Sequence, residues 1–187
     1  GNPEVVEAQW STIQTILGPN GSDAMTPPTP EVIKNLQDIW DDADISPQVQ
    51  QSASAFHFLA YRMIYDTIAD TANGGLEASV TSVGLPLGAG LGSSGAFSVA
   101  MAGALIRLRQ EIQTGKHVFT GLHDQGGEER EDQEVIPPAG TLAEINTWAF
   151  ASEVIIHGEP SGLDNTTSCY GGAIRMRKKS SPPFEGL

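Results

Sequence analysis

The chain has 187 residues, 39% of them hydrophobic, and carries 23 Asp and Glu against 10 Lys and Arg, a net charge of −13. That length supports one domain with its own core, and that charge argues against a surface built for nucleic acid or anionic membrane. No apolar run is long enough to cross a bilayer, and the single cysteine, Cys169, excludes an internal disulfide and a cysteine metal cluster.

Cys169 is read as a small, partly buried apolar residue of a reducing, cytoplasmic protein. No signal peptide precedes the first expected helix, and a chain starting at Gly1 reads as a processed product or a fragment.

Asn2-Pro3-Glu4 is a helix start, with a cap, a first-turn proline and an acid near the positive end. Val6, Trp10, Ile13 and Leu17 follow at helical spacing, and Gly18-Pro19 ends the run. Asn20 to Pro30 is rich in turn residues and reads as a surface loop. Thr29-Pro30-Glu31 repeats the start signal, ahead of Ile33, Leu36 and Trp40 on one face. Asp41, Asp42 and Asp44 form an acidic turn, better read as a solvated helix end than as a metal site.

Ser46-Pro47 opens a third helix that buries Val49, Ala53, Phe56, Ala60, Met63 and Ile64. His57 lies beside that stripe without a metal-ligand partner and is taken as structural. Leu76, Ala78 and Val80 alternate with Glu77, Ser79 and Thr81, which predicts a half-buried strand. The strand leads into Gly88-Ala89-Gly90-Leu91-Gly92-Ser93-Ser94-Gly95. Beyond it, Phe97, Met101, Ala104, Leu105, Leu108 and Ile112 predict a long helix.

Residues 121–140 are acidic and loop-like, with Gly126-Gly127 and Pro137-Pro138, and are expected to be a mobile insertion without chemistry. Thr141-Leu142-Ala143-Glu144 reads as a capping box on a helix that buries Ile145, Trp148, Ala149 and Ile156. His157 to Asn165 is a polar loop. Gly171-Gly172 starts an expected strand through Ile174 and Met176, with a basic end at Arg175, Arg177, Lys178 and Lys179. There is no internal repeat.

The glycine-rich stretch between strand and helix reads as a phosphate cradle: backbone N–H groups can approach an anion there, and the helix adds its positive end. No lysine is present for a Walker A loop, and neither serine has the glycines of a nucleophile elbow. Gly90-x-Gly92-x-x-Gly95 fits a Rossmann fingerprint formally. However, Lys116 to Phe119 is only a weak strand, and the expected acid after it is missing or unclear. A bare connecting turn is the bland alternative.

A phosphoryl transferase also needs a cation, a ligand for it, and a group that orients or deprotonates the acceptor hydroxyl. Ser94 can present a hydroxyl to Mg²⁺, and Glu153 can supply the carboxylate. Asp164 can serve as the base. Taken singly, Glu153 reads equally well as an exposed helix residue, and Asp164 as an Asx turn.

Pro86-x-Gly88-Ala89-Gly90-Leu91-Gly92-Ser93-Ser94 resembles the central phosphate-binding motif of the GHMP kinases. His157-Gly158-x-Pro160-Ser161-Gly162-x-Asp164-Asn165 is similar to the acceptor loop of the members that phosphorylate mevalonate, as is its approach Ile145-Asn146-x-Trp148-Ala149-Phe150. The resemblance implies ATP-dependent phosphorylation of mevalonate to 5-phosphomevalonate. It implies Asp164 as catalytic base, Ser94 and Glu153 as Mg²⁺ ligands, and Gly88, Ala89, Gly90, Leu91, Gly92, Ser93 and Ser94 around the ATP phosphates. The implied fold is α+β, a sheet packed by helices and related to the second domain of a ribosomal protein. Residues 1–187 would form part of that amino-terminal domain. The lysine-bearing first strand would lie before Gly1 and a later glycine-rich motif after Leu187. A homodimer is compatible with the resemblance.

Three positions depart from the family pattern: Leu87 where a second proline is usual, Val83 where a serine is often found, and Gly95 where alanine is usual. The last should weaken the helix by up to about 1 kcal/mol. Alternatives kept open are another GHMP small-molecule kinase, a Rossmann-type oxidoreductase, and a non-catalytic nucleotide-binding fragment.

Overall fold

A computed structural model describes residues 6–19, 27–68, 75–85, 90–115 and 139–175. Six helices follow in chain order: α1 (Trp10–Leu17), α2 (Pro30–Asp38), α3 (Pro47–Ile68), α4 (Ser93–Thr114), α5 (Ala139–His157) and α6 (Leu163–Tyr170).

Helix α3 is the hub. Ala55, Phe58, Leu59, Ala60, Tyr61 and Ile64 are all buried, so nearly every face of its middle is covered. Helices α1 and α2 close one side and α4 and α5 the other, while α6 sits on α4 and α5. A helix with apolar residues around its circumference belongs inside a domain. Its two polar buried side chains are satisfied locally. Ser54 takes the Trp40 indole N–H at 3.0 Å, and the His57 Nδ1–H donates to the Ala53 carbonyl at 2.7 Å. His57 packs on Trp40 and Phe56, so the structural reading of it holds. The α1 end is pinned by the Tyr61 hydroxyl on the Gly18 carbonyl, 2.7 Å, and by Arg62 on the Leu17 carbonyl, 3.0 Å.

The Thr29 signal works as expected: its hydroxyl accepts from Val32 N–H at 3.3 Å, and Pro30 opens α2. The first helix starts later than its signal, at Trp10 after Gln9, and Val6 is outside it. Asn2-Pro3-Glu4 lies outside the described residues.

The expected stripe on α4 is shifted. Ala104 is exposed and Ile112 largely so, while Ala102 and Ile106 are buried with Met101 and Leu105. The capping box at Thr141 does not operate, because α5 already begins at Ala139. Glu144 instead binds Arg109 of α4 at 2.6 Å.

The sheet of the expected α+β class is not formed among the described residues, which hold no strand. Residues 75–82 form no ladder, and Val83 is 90% exposed. Residues 171–175 likewise form no strand. A strand exists only when a neighbour takes its N–H and C=O groups, and alternation alone cannot supply one. The insertion expected at 121–140 lies outside the described residues up to position 138, and Ala139 and Gly140 begin α5.

Candidate active site

Two packed helices each bring a pair of polar residues four positions apart, which places both members on one face. Helix α4 contributes Ser94 and Ser98; α5 contributes Glu153 and His157. Glu153 is the centre. It is 2% exposed, so the reading of it as an exposed helix residue is overturned.

Its carboxylate meets the Ser98 hydroxyl at 3.1 Å on Oε1 and the Ser94 hydroxyl at 3.4 Å on Oε2. His157 Nε2 stands 2.9 Å from Ser94 Oγ and 3.8 Å from Glu153 Oε2. Burial pushes the Glu153 carboxyl above its ordinary value, opposed by the two serine hydrogen bonds and the imidazole. A buried carboxylate with so little compensating positive charge is suited to receiving a cation.

Ser94 lies in the first turn of α4. Gly92 caps that helix in the left-handed region at φ 75°, and Gly90 shares that conformation at φ 70°. The glycines therefore turn the chain into the helix as the loop chemistry required. Gly90, Leu91, Gly92, Ser93 and Ser94 are described; Gly88 and Ala89 lie outside the described residues.

Asp164 is not in a loop but in the first turn of α6, behind Gly162 at φ 78°. Its neighbour Asn165 anchors it. Asn165 is 1% exposed and donates to Asn146 Oδ1 at 2.8 Å. Thr166 Oγ1 donates to the Gly162 carbonyl at 2.6 Å. Buried Asn165 holds the helix while Asp164 faces outward.

Gly95 decides how near α6 can come. A Cβ there would stand 2.8 Å from the Asp164 carbonyl carbon and 2.9 Å from its Cβ. The sequence reading saw only a weak helix residue at this position. The structure gives it a packing role: without a side chain, the start of α6 rests directly on α4.

The resulting cleft, about 280 Å³, is lined by Glu153, His157, Glu159, Pro160, Ser161, Gly162 and Asp164. The structure thus brings Ser94, Glu153 and Asp164 to one place. Sequence reasoning gave no role to Ser98 and His157. Their signal was available as the i+4 partners of Ser94 and Glu153, with Ser98 a polar residue on an apolar stripe.

Among the described residues no cluster of three or more His, Cys, Asp or Glu could by itself hold a metal ion, and Asp41, Asp42 and Asp44 are simply exposed. Cys169 is partly buried and its thiol points to the Leu142 carbonyl at 3.3 Å. No helix of the described residues is long and apolar enough to cross a membrane.

Residues 58–118 match the GHMP kinases N terminal domain. A mevalonate kinase of Homo sapiens is 37% identical over 171 residues, 87% of this chain and 39% of that protein. One of Aspergillus fumigatus is 33% identical over 164 residues, 87% of this chain and 24% of that protein. One of Mus musculus is 40% identical over 103 residues, 55% of this chain and 23% of that protein. The chain thus spans between about a quarter and two-fifths of the length of these relatives. These matches, two of which extend over 87% of the chain, establish that it belongs to the GHMP kinase family.

Proposed function

We propose that the protein transfers the terminal phosphoryl group of ATP to the primary hydroxyl of mevalonate, giving 5-phosphomevalonate and ADP. The observation that carries this reading is that Glu153 and Asp164 line one cleft, with the Ser94 hydroxyl at the start of α4 hydrogen-bonded to Glu153 at 3.4 Å. Kinship with the mevalonate kinases supports the choice of substrate.

In this reading Asp164 accepts the hydroxyl proton, the freed oxygen attacks the γ-phosphorus, and the bond to ADP breaks. Residues Gly88 to Ser94 offer backbone N–H groups and the positive end of α4 to the phosphates. Glu153 and Ser94 fit a Mg²⁺ site, since this ion uses one or two protein ligands and completes its shell with phosphate oxygens and water. Bound there, Mg²⁺ neutralises developing phosphate charge. Asn165 and Gly95 fix the distance between the base and the loop.

The α+β arrangement belongs to the same proposal: exposed Val80 stands on the alternating face that a neighbouring strand would cover. So do the partial amino-terminal domain over 1–187, the insertion and a cytoplasmic location.

One observation favours a second reading. The cleft lining holds three carboxylates and no Lys or Arg among the described residues, which suits an uncharged alcohol better than a carboxylated one. Incubating the protein with ATP, Mg²⁺ and a panel of alcohols tests both. Phosphorylation of mevalonate in preference to galactose or homoserine is the expected result. Preference for galactose supports the second reading, and NAD(H) binding without ATP binding removes both.

A further inference from the structure

Ser98 is 0% exposed and does not line the cleft beside Glu153, yet its hydroxyl sits at the junction of two hydrogen bonds, 3.1 Å from Glu153 Oε1 and 2.8 Å from Ser152 Oγ. An ionised carboxylate only accepts. The Ser98 proton therefore goes to Oε1, and Ser98 in turn accepts from Ser152. The other carboxylate oxygen has a parallel arrangement. Ser94 donates to Oε2 and accepts from His157 Nε2, which stands 2.9 Å away. One oxygen is thus tied inward to a buried hydroxyl, and the other is turned toward Ser94, His157 and the cleft.

We infer that Ser98 is a positioning residue: it reserves Oε1, fixes the rotation of the Glu153 carboxylate, and leaves Oε2 as the single oxygen offered to a divalent cation beside Ser94. This rests on the reading of Glu153 and Ser94 as cation ligands. Mg²⁺ demands near-ideal octahedral geometry and poorly tolerates a two-oxygen grip from one small carboxylate, and Mn²⁺ takes the same octahedral oxygen sites. Outer hydrogen bonds that orient such a ligand are worth about 10–100-fold in metal affinity. No atom of Ser98 needs to meet the ion.

The test measures Mn²⁺ binding in the presence of ATP, by the electron paramagnetic resonance signal of free Mn²⁺, in the full protein. Ser98→Ala should weaken Mn²⁺ binding about 10–100-fold. Its kcat at saturating Mn²⁺ should stay within about threefold of the parent, because the shift appears in the metal requirement. A merely structural serine would lower the melting temperature and leave Mn²⁺ affinity unchanged in the folded fraction.

Glu153→Gln is measured alongside. If both variants bind Mn²⁺ like the parent, the cation reading of Glu153 falls, and the inference with it. If Glu153→Gln loses binding and Ser98→Ala does not, the inference alone is wrong. Should Ser98→Ala fail to fold, Ser152→Ala takes its place. It removes the group that donates to Ser98 and should weaken Mn²⁺ binding, by less than the roughly 10–100-fold expected of Ser98→Ala, and parental affinity in it overturns the proposal.

Discussion

Gly95→Ala adds one methyl at the contact of α4 with α6. The new Cβ would stand 2.8 Å from the Asp164 carbonyl carbon, 2.9 Å from its Cβ and 3.0 Å from its carbonyl oxygen, where ordinary contact begins at 3.4 Å. Two of those atoms are backbone, so a side-chain rotation cannot relieve the clash and the two helices must part by roughly half an ångström. Overpacking of this kind costs about 1–3 kcal/mol. The better helix propensity of alanine returns about 1 kcal/mol. The net is a loss of about 0–2 kcal/mol, or a melting temperature lower by up to roughly 8 °C at this chain length. Activity should suffer more than stability, because misplacing a reacting group by about 1 Å can cost 100-fold. The assay is steady-state phosphorylation with ATP titrated, beside a thermal melt. A drop in kcat of about 10-fold with the ATP KM kept within twofold is expected. Parental kcat in a folded Gly95→Ala protein would refute the claim that this glycine sets the place of Asp164.

Asp164→Asn should lower kcat by about 10²–10⁴ with ATP binding retained, as isothermal titration with ATP can show; near-normal turnover removes the base role. The Glu153 carboxyl is raised by burial, so it contributes stability in full below its ordinary value of 4.5 and loses that contribution as pH rises through the raised value. Glu153→Gln should therefore melt higher than the parent at neutral pH without divalent ions, by roughly 2–4 °C per kcal/mol relieved. The gain should vanish in acid, and a pH-independent difference would contradict the cause. Added Mg²⁺ should raise the parent's melting temperature and leave that of Glu153→Gln in place. Asn165→Ala should cost about 1–3 kcal/mol by leaving Asn146 without its donor; a melt and the kcat together check it, and loss of kcat without loss of binding is the expected pattern.

Much of the helical frame was legible in local chemistry. Thr29-Pro30 and Ser46-Pro47 mark helix starts because caps and first-turn prolines act within a few residues. The burial of Ala53, Ala60 and Ile64 follows from spacing alone. The sequence also singled out Ser94, Glu153 and Asp164, since each sits next to glycines or on a recognisable stripe. The patterns at 76–81 and 171–175 are not paired into strands among the described residues, because a strand is a property of two segments, and pattern speaks for one. Tertiary packing decided what the candidates mean. The depth of Glu153, the roles of Ser98 and His157, and the Asp164 contact that keeps Gly95 bare each depend on where α4 lies against α5 and α6. Those distances arise between residues more than fifty positions apart, and no local propensity encodes them.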